Sequence, residues 1–421
     1  MRTLFLSILC AVSLSVSAQK RIFIPEELRS IDFTCDSSRY SWMHSTQTRD
    51  LVFFWEKGFG DNPANPPQLE GHPMSFDLES LKDRVQYFYH FFRDTLRFSL
   101  PGSKADRYKM MVMINYSLEG TAYGGTYDNF IGALWVTPNR IQDRKFNCLA
   151  HELGHSFQLQ IQADSLSPCW GGSGFFEMTS QWMLWLVNPD WLTDENYHFE
   201  AFKKLTHKAY LDGSNIYHSP YVIAYWGEKH GLTSIADLYR DGRQGEDPVM
   251  TYQRHYGISQ QRFNDEMIDC YQRLVNLDYR HAYKETRRYA CQFATPMEAA
   301  GSGWSPKKEF TPEDYGFNAI RLTGCQSGKK VVATVAASDQ ARRQGGLRYG
   351  LVAVTAAGKA VYGKPVAHGG ASLKMPAEPL KAVYLVVMGA PAKHQRLSWD
   401  EKRPNRQYPY TVAFNKGVRP E

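Results

Sequence analysis

Apolar and polar positions change their rhythm several times along this chain, and the changes mark its elements. The run DLVFFWEKGFG (50–60) is a continuous apolar stretch that ends in a glycine turn, as expected of a buried strand. In DLESLKDRVQYFYHFFRDTLRF (77–98), Leu81, Val85, Phe88 and Phe92 recur at helical spacing, with Asp77 as the expected N-cap. YKMMVMINYS (108–117) and FIGALWVTP (130–138) read as strands, separated by the Gly- and Tyr-rich EGTAYGGTYDN (119–129), a flexible lid or an ordinary hairpin loop. Helical segments are expected at 173–187, 221–231, 231–241 and 259–275.

Around 295–316 small residues and prolines suggest a linker, and beyond it the rhythm becomes short β runs broken by Gly, Pro and polar turns. The pattern therefore predicts an α+β protein. A small mixed sheet and a helical half occupy 19–300, and an all-β sandwich of jelly-roll or immunoglobulin-like type occupies 301–421.

The N-terminal 18 residues change the compartment. Arg2, the apolar run Leu4–Val16 and the small residues Val16-Ser17-Ala18 have the order of a secretory signal, so a secreted or periplasmic protein is expected. No later stretch reaches the roughly 20 apolar residues of a spanning helix. Six cysteines follow Cys10, an even number that permits either bridges or structural thiols, and none forms a C-x-x-C pair.

The net charge of +6 hides an asymmetry. Residues 301–421 carry 19 Lys and Arg against 8 Asp and Glu, a net of +11, which leaves −5 on the rest. Such a module either meets an anionic surface, for example an acidic glycan, or simply presents a solvated basic face. An exported chain without a nucleic-acid motif is not expected to bind nucleic acid.

The candidate chemistry lies in LAHELGHSFQ (149–158). On a helix His151 and His155 stand one turn apart on one face and can address one metal ion. Phe146, Ala150, Leu153, Phe157 and Ile161 form an apolar stripe roughly opposite, so the helix can pack while its histidines face a cleft. Glu152 is placed to take a proton from a water activated by zinc.

The third ligand decides the subclass. Gln158 and Ile161 occupy the positions where metzincins require Gly and His, which excludes that pattern. Asp164 suits a helix end better than a metal. Glu177 opens the apolar-aromatic segment FFEMTSQWMLWL, where a lone carboxylate needs a partner. Its other reading is a glutamate favoured by the helix dipole. Trp55, Trp135, Trp182 and Trp185 are read as core in preference to cleft.

HELGH with a glutamate on the following helix resembles the gluzincin zinc metallopeptidases. HELGHSFQ…FFEMTSQW is similar to the motif of enhancin-like, mucin-directed peptidases. FFWEKGFG, IGALWVTP, AHELGHSFQ and EMTSQW, followed by EDYGFNAIRL, also resemble a largely uncharacterised family of exported bacterial proteins.

The gluzincin resemblance implies a zincin-like domain in which His151, His155 and Glu177 bind Zn2+ and Glu152 is general base. It implies a protein or glycoprotein substrate laid along an edge strand, which would be FIGALWVTP. It also implies an oxyanion donor on a later segment, for which His218 and Tyr221 are the candidates, with Tyr217 behind them. Two other readings stay open: a surface- or carbohydrate-binding protein with a vestigial zinc site, and a zinc hydrolase acting on a non-peptide substrate.

Overall fold

The computed structural model describes residues 19–120, 122–166, 170, 174–396 and 404–421. The expected signal segment 1–18 and Cys169 lie outside them. Five strands form the first sheet: β1 (Ser45–Gln47), β2 (Leu51–Trp55), β3 (Met110–Ile114), β4 (Tyr123–Tyr127) and β5 (Ile131–Val136). Their order is β1-β2-β3-β5-β4, with β2, β3 and β5 parallel and both edge strands antiparallel. The central strands are apolar throughout because both faces are covered, as expected of parallel strands.

Helix α1 (Leu78–His90) follows β2, and the short α2 (Lys104–Arg107) leads into β3. Asp77 caps α1 by accepting from the Ser80 N–H at 3.0 Å. The motif helix α3 (Asn147–Ala163) lies across β4 and β5, with all five residues of its predicted stripe at most 1 % exposed. Polar ties fix it to the sheet: Ser156 Oγ donates to the Ala133 carbonyl (2.7 Å), and the Gly132 N–H donates to Gln160 Oε1 (2.8 Å).

A helical half follows, made of α4 (Phe175–Val187), α5 (Trp191–Asp194), α6 (Asn196–Leu205), α7 (Tyr221–His230), α8 (Ser234–Asp241), α9 (Pro248–His255) and α10 (Gln260–Leu274). Among the described residues no helix is long and apolar enough to cross a membrane. Cys35, Cys148, Cys270, Cys291 and Cys325 are all free thiols.

The C-terminal part is a sandwich of two antiparallel sheets. The strands are β6 (Met297–Ala300), β7 (Gly303–Pro306), β8 (Phe317–Thr323), β9 (Lys330–Ala337), β10 (Leu347–Thr355), β11 (Ala360–Tyr362), β12 (Gly370–Lys374), β13 (Leu380–Gly389), β14 (Tyr410–Phe414) and β15 (Arg419–Pro420). The inner sheet runs β11-β10-β13-β8-β15 and the outer one β12-β9-β14-β7-β6. The segment expected to be a linker corrects to a hairpin: β6 and β7 pair with each other, and β7 pairs with β14, so a boundary at 300/301 falls at their turn.

The inner sheet is buried on both faces. Leu347, Tyr349, Leu351, Leu385 and Val387 face the outer sheet, while Val352, Val354, Tyr384, Val386 and Met388 join the core of the helical half. Gln272 of α10 donates to the carbonyls of Leu351 and Gly363 at 3.1 and 2.9 Å, and Arg348 pairs with Asp265 at 2.7 Å. A core continuous across the two parts should melt as one. Calorimetry is expected to show a single unfolding transition, and two separated transitions would contradict this.

Candidate metal centre

Two glycines bring the elements of the site together. A Cβ on Gly124 of β4 would sit 1.6 Å from the Glu152 carbonyl oxygen, so strand and motif helix touch through main chain there. A Cβ on Gly154 would come within 2.7 Å of Ser180 Oγ, which lets α4 lie close against α3. Glycine inside a helix is costly, and this close approach is what the glycine of HELGH supplies.

At that approach His151 Nε2, His155 Nε2 and Glu177 Oε2 converge. The two ring nitrogens are 3.1 Å apart, and the carboxylate oxygen is 3.1 Å from His151 and 3.2 Å from His155. These are the three residues among those described that group as candidate ligands. Zinc bonds of about 2.0–2.1 Å in a tetrahedron give ligand–ligand edges of about 3.3 Å, so the triangle fits one face of such a site. Three acceptors aimed at one point also call for a cation or a proton between them.

Burial pushes the Glu177 carboxyl up, but hydrogen bonds and charge from His151 and His155 outweigh it and hold the group well below the usual carboxylate range. Burial likewise lowers the His155 imidazole, and the hydrogen bond and charge of Glu177 more than reverse this, for a net rise.

The Glu152 carboxylate lies in the same cleft, a space of about 380 Å³ lined also by Ala122, Tyr123, Leu159, Phe176 and Tyr217. Its Oε2 accepts from the Gly124 main-chain N–H at 2.8 Å. The wall beside it is β4, not the expected FIGALWVTP: β5 lies one strand further in, between β3 and β4. The Gly-rich stretch read as a lid or loop is therefore the edge strand itself. Trp55, Trp182 and Trp185 are buried away from the cleft, and Trp135 donates from its indole to Tyr127. Asp164 accepts from the Lys104 N–H at 3.0 Å, as suits a helix end.

The two residues expected as oxyanion donors do not reach the cleft. Tyr221 is the first residue of α7 and points inward, 1 % exposed, its ring against Trp185 and Phe202. His218 turns away to His198, with the two Nδ1 atoms 2.7 Å apart. Tyr217 faces the cleft instead. Its hydroxyl donates to Glu177 Oε1 at 3.2 Å and its ring stacks over His151. Burial, then the charge of Glu177, push its phenol up to about 12. Gln181, one turn after Glu177, donates to the Tyr217 carbonyl at 3.0 Å, so α4 holds this residue at both ends.

Fold and site together define an α+β protein with a convergent His-His-Glu donor group in an open cleft. The chain belongs to a family of unknown function, DUF6055, whose model matches residues 14–420. Among solved structures it is similar to the ZmpB metallopeptidase from Clostridium perfringens, at 13 % identity over 90 % of this chain and 67 % of that one, with a TM-score of 0.33. A likeness that slight carries no functional weight. No curated protein matches the chain.

Proposed function

We propose that this protein is an exported zinc metallopeptidase of gluzincin type, cleaving peptide bonds in protein or glycoprotein substrates. The observation that carries the reading is the His151–His155–Glu177 triangle with the Glu152 carboxylate in the same cleft. Zinc held by these three residues would supply the Lewis acidity that makes water a nucleophile at neutral pH.

The chain's own groups account for the rest. Glu152 keeps Oε2 on the Gly124 N–H, which leaves Oε1 to take the proton of the attacking water and return it to the leaving amine. Tyr217 replaces His218 and Tyr221 as the donor that meets the carbonyl oxygen as it gains negative charge. The outer edge of β4 beside the cleft, which pairs with no other strand among the described residues, suits an extended peptide, which favours a peptide over a small non-peptide substrate.

Metal analysis paired with cleavage of a mixed protein and mucin panel tests the reading. One zinc per chain is expected, with cleavage lost to a chelator and restored by added zinc. A folded protein that takes up no zinc would overturn it. Tyr217→Phe is expected to lower kcat by about 100-fold, the scale of one oxyanion donor, while zinc content stays at one per chain. An unchanged kcat would remove Tyr217 from the mechanism.

A further inference from the structure

For His155 Nε2 to present a lone pair, the other ring nitrogen must carry the proton. That Nδ1 lies 3.1 Å from Oε1 of Gln158, a fully buried side chain three residues further along α3. The Gln158 Nε2 lies 3.0 Å from the Phe176 carbonyl oxygen and 3.1 Å from Ser180 Oγ, both on α4.

With Nε2 giving its lone pair to a metal ion instead of a proton to Glu177, these contacts leave one arrangement of protons. A carbonyl oxygen only accepts, so the amide nitrogen of Gln158 has to face Phe176. Its oxygen then faces His155, and an amide oxygen also only accepts. The His155 Nδ1 is thereby made the donor. The chain of cause begins at the main-chain carbonyl of the residue before Glu177, passes through one amide and ends in the tautomer of a second candidate ligand. The same amide fastens α3 to the first turn of α4, beside the Gly154–Ser180 approach.

We propose that Gln158 is a positioning residue of the metal centre. It sets His155 as the Nδ1–H tautomer and holds the Glu177 turn against it, so that the donor triangle stands assembled before a metal ion arrives. This rests on the zinc reading given above. A carboxylate is the commoner partner of a metal-bound histidine, but at position 158 it would set its second oxygen against the Phe176 carbonyl. The geometry therefore asks for an amide, with one acceptor end and one donor end.

Two variants separate this from simple packing. Gln158→Met keeps the volume and deletes all three hydrogen bonds; Gln158→Glu keeps the acceptor toward His155 and deletes the donors toward α4. In competition with a chelator, zinc affinity is expected to fall about 10- to 100-fold in the methionine variant, the usual scale for a lost partner of a ligand. The glutamate variant should not restore it.

The tautomer can also be read in the metal-free wild-type protein, from 15N shifts of labelled histidine at alkaline pH, with His155→Gln assigning the signal. A proton on Nδ1 is expected. Zinc binding in Gln158→Met as tight as in the wild type, or a proton found on Nε2, would overturn the proposal. The shifts decide alone if the methionine variant does not fold. A wild-type protein that binds no zinc at all would bring down the zinc reading, and this inference with it.

Discussion

Glu152→Gln is expected to abolish measurable hydrolysis while leaving one zinc per chain. The substitution is nearly isosteric, and the amide oxygen of glutamine can still accept from the Gly124 N–H that holds the carboxylate at 2.8 Å. None of the candidate ligands is altered. What is lost is a group able to take a proton and give it back, which is worth about 10²- to 10⁴-fold in rate. Turnover of a peptide cleaved by the wild type, read beside the zinc content of the same preparation, checks both halves. Zinc retained with full turnover would mean that another group is the base.

The second large effect is expected at Gly124. A methyl group there would meet the Glu152 carbonyl oxygen at 1.6 Å and the carbonyl carbon at 2.5 Å, and both are main-chain atoms. No rotamer relieves such a clash, so β4 must lift from α3. Gly124→Ala should lower stability by about 3 kcal/mol, the upper end for overpacked sites. It should also lower turnover, because the N–H that orients Glu152 moves with the strand. Zinc binding should survive in the folded fraction, since no candidate ligand is on β4. Gly125→Ala is the control: its Cβ would first meet the Trp135 ring at 3.3 Å, a side chain that can give way. Melting temperatures for the pair decide the matter, and equal values would refute the account.

The parts of the site that could be read from the sequence are those fixed by local periodicity. Two histidines four apart and an apolar stripe opposite them leave one orientation for α3. Glu177 stood out as a lone carboxylate in an apolar helix. The choice among Tyr217, His218 and Tyr221 had no such support, because it depends on where α7 begins. Pro220 precedes its first turn, Tyr221 is carried into the core, and Tyr217 stays on the cleft side of the preceding turn. No periodicity marks that difference.

The edge strand was hidden for another reason. YGGTY has two glycines at its centre and weak strand propensity, and it is a strand because β5 pairs with it and α3 needs the close approach. The hairpin β6–β7 was masked in the same way by small residues that suggested a linker. By contrast LRYGLVAVT carries almost no polar alternation, and that is the mark of a sheet covered on both sides.

That doubly covered sheet bears on how the protein can vary through descent. A domain can be exchanged as a cassette when its surface is complete in itself. Here one side of the inner sheet belongs to the sandwich and the other to the helices behind the cleft, so neither part has a finished surface alone. Change on the sandwich is expected to be confined to its outer sheet and loops, where substitution leaves the shared core intact. The two parts are expected to be inherited together, and a graft of this sandwich onto a foreign partner would need a new helical face to receive it.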